Sequence, residues 1–230
     1  MNSNDTVPVI TLDGPSGTGK GTISCRLARH LKWHFLDSGA IYRVLAYAAK
    51  RDNVDFLNMG QLIQLAQKLD LSFMAGENEE NQVLLDGVVV NDVIRTEQCG
   101  QDASRIATLP DVRKALLARQ RAFAQAPGLV TDGRDMGTIV FPNAVLKIYL
   151  TATAEERANR RYLQLKEKAN DVSLAQVINE LEKRDSRDSA RAFAPLKPAD
   201  DAVLIDTTRL SIVQVFHNVL QLVDEKLFSH

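Results

Sequence analysis

Glycine and lysine at fixed spacing constrain this chain more than any other feature. The stretch Gly14-Pro15-Ser16-Gly17-Thr18-Gly19-Lys20-Gly21-Thr22 follows an apolar, β-branched run over 7–13 that ends in Asp13, and it opens a helical pattern over 23–31. Strand, glycine-rich loop, lysine and helix, in that order, form a cradle for phosphate. The glycines let the backbone curl tightly and turn its N–H groups inward. The new helix directs the positive end of its dipole at the same point, and Lys20 reaches the outer phosphates as a mobile point charge. A plain strand-to-helix turn is the bland alternative. The position of the lysine and the two flanking elements favour a nucleoside triphosphate site built from Gly14, Pro15, Ser16, Gly17, Thr18, Gly19, Lys20, Gly21 and Thr22.

One position departs from the general pattern, in which Ser or Thr directly follows the lysine and ligates magnesium. Gly21 stands there and Thr22 comes one later, so magnesium is expected to be held largely by phosphates and water. Gly-Lys-Gly-Thr at this place resembles the nucleoside monophosphate kinases, in which the threonine bonds an inner phosphate.

A length of 230 residues suits one compact domain with insertions. Hydrophobic residues at 45% and charged residues at 25% describe an ordinary soluble protein. The net charge of −1 gives no support for a polyanion-binding surface, so no nucleic-acid partner is expected. Cys25 and Cys99 have no metal-ligand spacing; Cys25 falls inside the first helical pattern and reads as a free buried thiol in a reducing, intracellular setting. Residues 1–6 are polar, without the basic and apolar regions of a signal peptide, and no run approaches the length of a bilayer span. A cytoplasmic location without a membrane partner is the expectation.

After the first helix, 33–36 reads as a strand ending in Asp37-Ser38-Gly39, and 40–51 has helical spacing with Ile41, Leu45 and Ala48 on one face. Taken alone, Ser38 reads as a helix N-cap and Arg43 as a solvated charge. A helix over 57–69 is followed by a strand over 71–74, a polar acidic loop over 76–81 and a strand over 82–85. Asp86-Gly87 then makes a tight turn into a returning strand over 88–90. Such hairpins do not belong in a parallel sheet, so a small antiparallel sheet is inserted here. Helices over 96–107 and 111–126, separated by Pro110, carry Ser104 and Arg113. The chain returns to the core at Pro127-Gly128, and a strand over 129–132 runs into Gly133-Arg134-Asp135-Met136-Gly137-Thr138. Asp132, where that strand ends, suits a metal shell or a turn about equally well. A strand over 145–150 and a helix over 154–168 follow. In the helical pattern over 173–191, Arg184, Arg187, Asp188 and Arg191 fall at i, i+3, i+4 and i+7 and share one face. That face is either solvated and laced with ion pairs or, beside a phosphate loop, a clamp on a transferring phosphoryl group. A strand over 203–206 and a helix over 210–227 close the chain.

The blocks Asp37-Ser38-Gly39-Ala40-Ile41-Tyr42-Arg43 and Asp132-Gly133-Arg134-Asp135-Met136-Gly137-Thr138, with the Gly-Lys-Gly-Thr loop and the Arg/Asp run, closely resemble the bacterial cytidylate kinase family over nearly the whole chain. The resemblance implies an α/β fold: a P-loop NTPase-type parallel sheet flanked by helices, an inserted monophosphate-binding domain containing the small antiparallel sheet, and an arginine-rich lid. Residues 1–38, 128–156 and 202–230 would form the ATP-binding core, 39–127 the monophosphate-binding domain and 157–201 the lid. It further implies transfer of the γ-phosphoryl group of ATP to CMP or dCMP, with Mg2+ as cofactor. Gly14 to Thr22 would hold ATP. Arg43 and Arg134 would bind the acceptor phosphate, and Ser38, Arg113, Asp135 and Arg191 would surround cytosine. Arg184 and Asp188 would touch the pentose, with Ser104 supporting Asp188, and Lys20, Arg134 and Arg184 would be catalytic. A monomer acting on small molecules is expected. Two other readings stand beside this one: a small-molecule P-loop kinase acting on a metabolite such as shikimate or gluconate, and a nucleotide-dependent switch or nucleic-acid-coupled ATPase. The Ser38 and Asp135 blocks disfavour the first. The second lacks an Asn-Lys-x-Asp guanine-binding sequence and a basic surface.

Overall fold

A strand buried along its whole length has to sit inside a sheet covered on both faces, and β1 (Val9–Asp13) is buried at every position. The computed structural model describes residues 7–75, 81–167 and 172–227. From the glycine-rich loop the chain enters α1 (Lys20–Leu31), then β2 (His34–Asp37) and α2 (Ser38–Arg51). It continues through α3 (Met59–Lys68), β3 (Leu71–Ala75), β4 (Asn81–Leu85), β5 (Val88–Val89), α4 (Asn91–Ile94), α5 (Glu97–Ile106) and α6 (Pro110–Ala122). Then follow β6 (Leu129–Gly133), a π-helical turn over Met136–Val140, β7 (Leu146–Thr151), α7 (Ala154–Glu167), α8 (Leu174–Ser189), β8 (Val203–Asp206) and α9 (Ile212–Leu227).

The main sheet has five strands in the order β2-β6-β1-β7-β8, and every pairing in it is parallel. The three-stranded sheet β3-β4-β5 is antiparallel. Asp86 and Gly87 both take positive φ, 52° and 75°, in the two-residue turn between β4 and β5. The side chains of β1 alternate between two cores. Ile10 and Leu12 join Ile23 and Leu27 of α1 and Val215, Val219 and Val223 of α9, while Val9 joins the cluster built by α2, α3, α5 and α6. α7 and α8 pack on each other through Ala158, Leu165, Val177 and Leu181. All parallel strands end on one side, and the glycine loop, Ser38 and the Arg134–Asp135 turn emerge there together.

Several element limits differ from the sequence expectation, for local reasons. The cap of α2 is Asp37, whose carboxylate accepts from Ala40 N, so Ser38 is inside the helix and is not its N-cap. Pro110 does not separate α5 from α6; it opens α6, where its missing N–H is harmless, and that helix stops at Ala122. α8 ends at Ser189, which leaves Arg191 beyond the helix. Cys25 is half-buried and not fully buried. Neither α4 nor the π-helical turn was expected. The polar segment 1–6, residues 76–80 of the acidic loop and Lys168 at the end of the expected helix lie outside the described residues.

Gly14 has φ +145°, and a Cβ there would stand 2.1 Å from the carbonyl oxygen of Leu150 on β7. That carbonyl belongs to a paired strand and cannot retreat. Gly14→Ala is therefore expected to lower the unfolding free energy by about 1–3 kcal/mol, read from denaturant titration. An unchanged midpoint would show that β1 and β7 can part at this end.

Candidate active site

The phosphate loop closes on itself before any ligand is considered. Lys20, the first residue of α1, folds its Nζ back to donate to Pro15 O at 2.9 Å, and Thr18 Oγ1 donates to the same carbonyl at 3.2 Å. Arg157, near the start of α7, braces the loop from outside: it donates to Ser16 O at 3.1 Å and to Ala152 O at 3.2 Å, and pairs with Asp185 of α8 at 2.6 Å. Gly17 has no room for a side chain, since a Cβ would lie 2.8 Å from Arg157 O.

Lys20 opens onto a cavity of about 230 Å³ that also takes in Ser38, Tyr42 and Arg43 of α2, Ser104 of α5 and Arg113 of α6. Asp132, Arg134 and Asp135 enter it from the end of β6, and Arg184, Asp188 and Arg191 from α8 and the residues after it. Arg134 links its two sides, donating to Ser16 Oγ at 2.7 Å and to Asp188 at 2.8 Å. Asp188 is buried and also pairs with Arg191. Arg113 pairs with Asp135, donates to Ala107 O at 3.2 Å, and lies over the ring of Tyr42 with 5.5 Å to its centroid. Arg43 donates to Ile94 O at 2.7 Å and to Thr96 O at 3.3 Å, in space that Gly100 leaves open. Arg187 is not part of this cavity; it turns to Gln101 of α5 at 2.6 Å. Ser104 lines the cavity with its hydroxyl unpartnered, and no hydrogen bond joins it to Asp188 among the described residues.

Behind the cavity Asp13 ties the strand under the phosphate loop to the turn that carries Arg134 and Asp135. Its two carboxylate oxygens accept from Met136 N at 2.9 Å and Gly137 N at 2.8 Å.

A family model described as cytidylate kinase matches residues 10–225. A cytidylate kinase of Pseudomonas aeruginosa is 57% identical over 219 residues, which covers 95% of this chain and 96% of that protein. One of Pseudomonas fluorescens is 58% identical over 218 residues, covering 94% and 95%. The chain belongs to the cytidylate kinase family. A solved structure of an uncharacterized protein from Eubacterium ventriosum overlays with a TM-score of 0.51 at 13% identity, over 95% of this chain and 98% of that one, a likeness of fold alone.

In this member of the cytidylate kinase family the cavity concentrates positive charge that burial makes unfavourable. Burial, then the guanidinium of Arg134, push the Lys20 ammonium down to about 7, against the pull of Asp132. Burial, then Arg134 and Arg43, push Arg184 down to about 9. Asp132 moves the other way, raised well above the usual carboxylate range by burial and by Asp37, its register partner on β2. Its Oδ1 is buried without a hydrogen-bond partner. An orphaned carboxylate oxygen next to the lysine of the phosphate loop fits a cation carried in with phosphates. Among the described residues no cluster of three His, Cys, Asp or Glu side chains is poised to hold a metal by itself.

Reasoning from sequence missed Asp13, Tyr42 and Arg157. Tyr42 had a usable signal, since it follows Ser38 at i+4 on α2 and so shares its face. Asp13 was visible only as the end of an apolar strand, and the loop carbonyl that Arg157 meets lies 141 residues away in the chain.

Asn at position 13 would keep one acceptor and point an amide donor at a backbone donor. Asp13→Asn is expected to lower the unfolding free energy by about 1–3 kcal/mol and to reduce turnover, by denaturant titration and steady-state kinetics. Wild-type values in both would show that the turn holds itself. The lowered Lys20 makes a second expectation. A bound triphosphate raises a lysine, and raising a base above the working pH draws in a proton, so ATP binding at pH 8 should take up as much as about one proton. Calorimetry in buffers of different ionisation enthalpy reads that number, and Lys20→Met should abolish it. Uptake of zero in the wild type would contradict the placement of Lys20 at the phosphates.

Proposed function

We infer that this protein transfers the γ-phosphoryl group of ATP to CMP or dCMP, giving ADP and the corresponding diphosphate. One observation carries it. The lysine of the phosphate loop and Arg43, Arg134 and Arg184 converge on a single cavity, whose wall also holds the Arg113–Asp135 pair. Two polyanions can be brought together only if a cradle takes one and guanidinium groups take the other.

On this reading Gly14 to Thr22 hold ATP, and Arg43 and Arg134 bind the acceptor phosphate. Ser38, Arg113, Asp135 and Arg191 surround cytosine. Arg184, Asp188 and Ser104 face the pentose, with the free hydroxyl of Ser104 available to it. Residues 39–127 act as the acceptor-binding part and 157–201 as a lid over the core. Lys20, Arg134 and Arg184 stabilise the charge that spreads over the transferring group, so positioning and neutralisation supply most of the catalysis and no nucleophilic side chain is needed. Magnesium carried in with ATP would supply neutralisation of phosphate charge, with Asp132 the residue that would hold it. A cytoplasmic monomer is the form this reading implies; no helix among the described residues is long and apolar enough to cross a membrane.

The test is ADP formation from ATP and magnesium with each nucleoside monophosphate, gluconate and shikimate in turn. CMP and dCMP should be the best acceptors. Faster transfer to AMP, GMP or a sugar acid, or strong hydrolysis without an acceptor, would overturn the assignment. Asp135 can only accept, which suits the exocyclic amino group of cytosine and opposes the carbonyl of uracil. The unmatched pairing costs about 1–3 kcal/mol, roughly 5- to 150-fold in discrimination. Asp135→Asn should therefore narrow the ratio of kcat/KM for CMP over UMP, and an unchanged ratio would move base recognition elsewhere in the cavity.

A further inference from the structure

Arg113 forms the boundary between two cavities. Together with Tyr42 and Asp135 it lines the cavity described above, and the same three residues line a second one of about 340 Å³, whose other walls include Leu117, Ile139 and Phe193. The guanidinium thus has open, largely apolar space available behind it. Asp135 and Ala107 O hold its two terminal nitrogens, and its Nε is buried without a partner. The aromatic face of Tyr42, 5.5 Å from the guanidinium carbon, adds a third contact to these two.

Tyr42 carries a second unexplained feature. It is 7% exposed and its hydroxyl is buried with no hydrogen-bond partner. A phenylalanine would supply the same ring without leaving a polar atom unmatched. Tyr42 stands one helical turn after Ser38 on α2, on the face that meets the cavity.

We propose that Tyr42 is an unassigned specificity-determining residue of the acceptor site, its ring holding Arg113 against the nucleobase and its hydroxyl donating to the bound nucleotide. The proposal rests on the acceptor reading of the cavity. Burial pushes the phenol up to about 12, so the hydroxyl keeps its proton at neutral pH. The two functions separate by substitution. Tyr42→Phe removes the hydroxyl alone, and Tyr42→Leu removes the ring as well, leaving Arg113 to Asp135 and Ala107 O without the aromatic face that orients it.

The experiment measures KM and kcat for CMP, UMP and ATP in the wild type, Tyr42→Phe and Tyr42→Leu, with Tyr42→Met as the replacement should the Leu variant not fold. Wild-type preference for CMP over UMP is measured first, so failure of the acceptor reading appears there and not in the variants. Tyr42→Phe is expected to raise KM for CMP by about fivefold or more, with KM for ATP and the CMP:UMP preference retained. Tyr42→Leu is expected to lose about tenfold of that preference besides, and Phe restores it. The proposal is overturned if Tyr42→Phe leaves KM for CMP within twofold of wild type, if Tyr42→Leu keeps the CMP:UMP ratio, or if the variants raise KM for ATP as much as for CMP.

Discussion

The two halves of the site are held at a fixed separation by one buried carboxylate. Asp13 is the last residue of the central strand, and the phosphate loop begins at the next position. Its oxygens take the N–H groups of Met136 and Gly137, directly after Arg134 and Asp135. Those two amides lie in a π-helical turn and would otherwise be buried without acceptors. Burial raises the Asp13 carboxyl to about 6 even so, since the backbone donors and Lys20 only partly offset the loss of water. Asp13 thus couples the strand under the donor cradle directly to the turn that carries Arg134 and Asp135. In-line transfer depends on such positioning, because the protein contributes geometry and charge and little covalent chemistry.

Within the same cavity the cations are unequally matched by acids. Arg134 and Arg191 are answered by Asp188, and Arg113 by Asp135. Lys20 and Arg184 both sit below their ordinary values because burial and neighbouring cations act against them. A site poised this way gains most when polyanions enter and water leaves, since each charge interaction strengthens as the local dielectric falls. Desolvation of the Arg184 guanidinium is already spent in the folded protein and need not be repeated when phosphate binds.

Much of this was legible in the sequence because it was local. The glycine loop, the Asp86-Gly87 turn and the alternation between parallel core and antiparallel insert each depend on neighbours a few residues apart. The functional clusters were legible through the family resemblance, which made candidates of Ser38 and Arg43, read alone as an N-cap and a solvated charge, and of Arg134 and Arg184; all four line one cavity. Helical periodicity grouped Arg187 with its neighbours, yet only Arg184, Asp188 and Arg191 face inward. Arg187 is drawn off by Gln101 on another helix, a partner no periodicity can show. Arg191 reaches Asp188 from beyond the helix end. Asp13 and Arg157 were missed for the same reason, because their partners are backbone groups brought near only by the sheet.

Those distant partners also explain how α7 and α8 are held over the site. The pair has an apolar cluster of its own and touches the rest of the protein largely through charge. Arg157 and Asp185 connect the phosphate loop to α8, Arg161 meets Glu97 of α5 at 3.0 Å, and Arg187 meets Gln101. These contacts range from the largely buried Arg157–Asp185 pair to the partly exposed Arg161–Glu97 pair. An apolar seam in their place would carry no charge to the cavity. The polar one continues into it: Arg134 donates to Ser16 Oγ on the loop and to Asp188 on α8, and Arg184 and Asp188 line the cavity from that same helix.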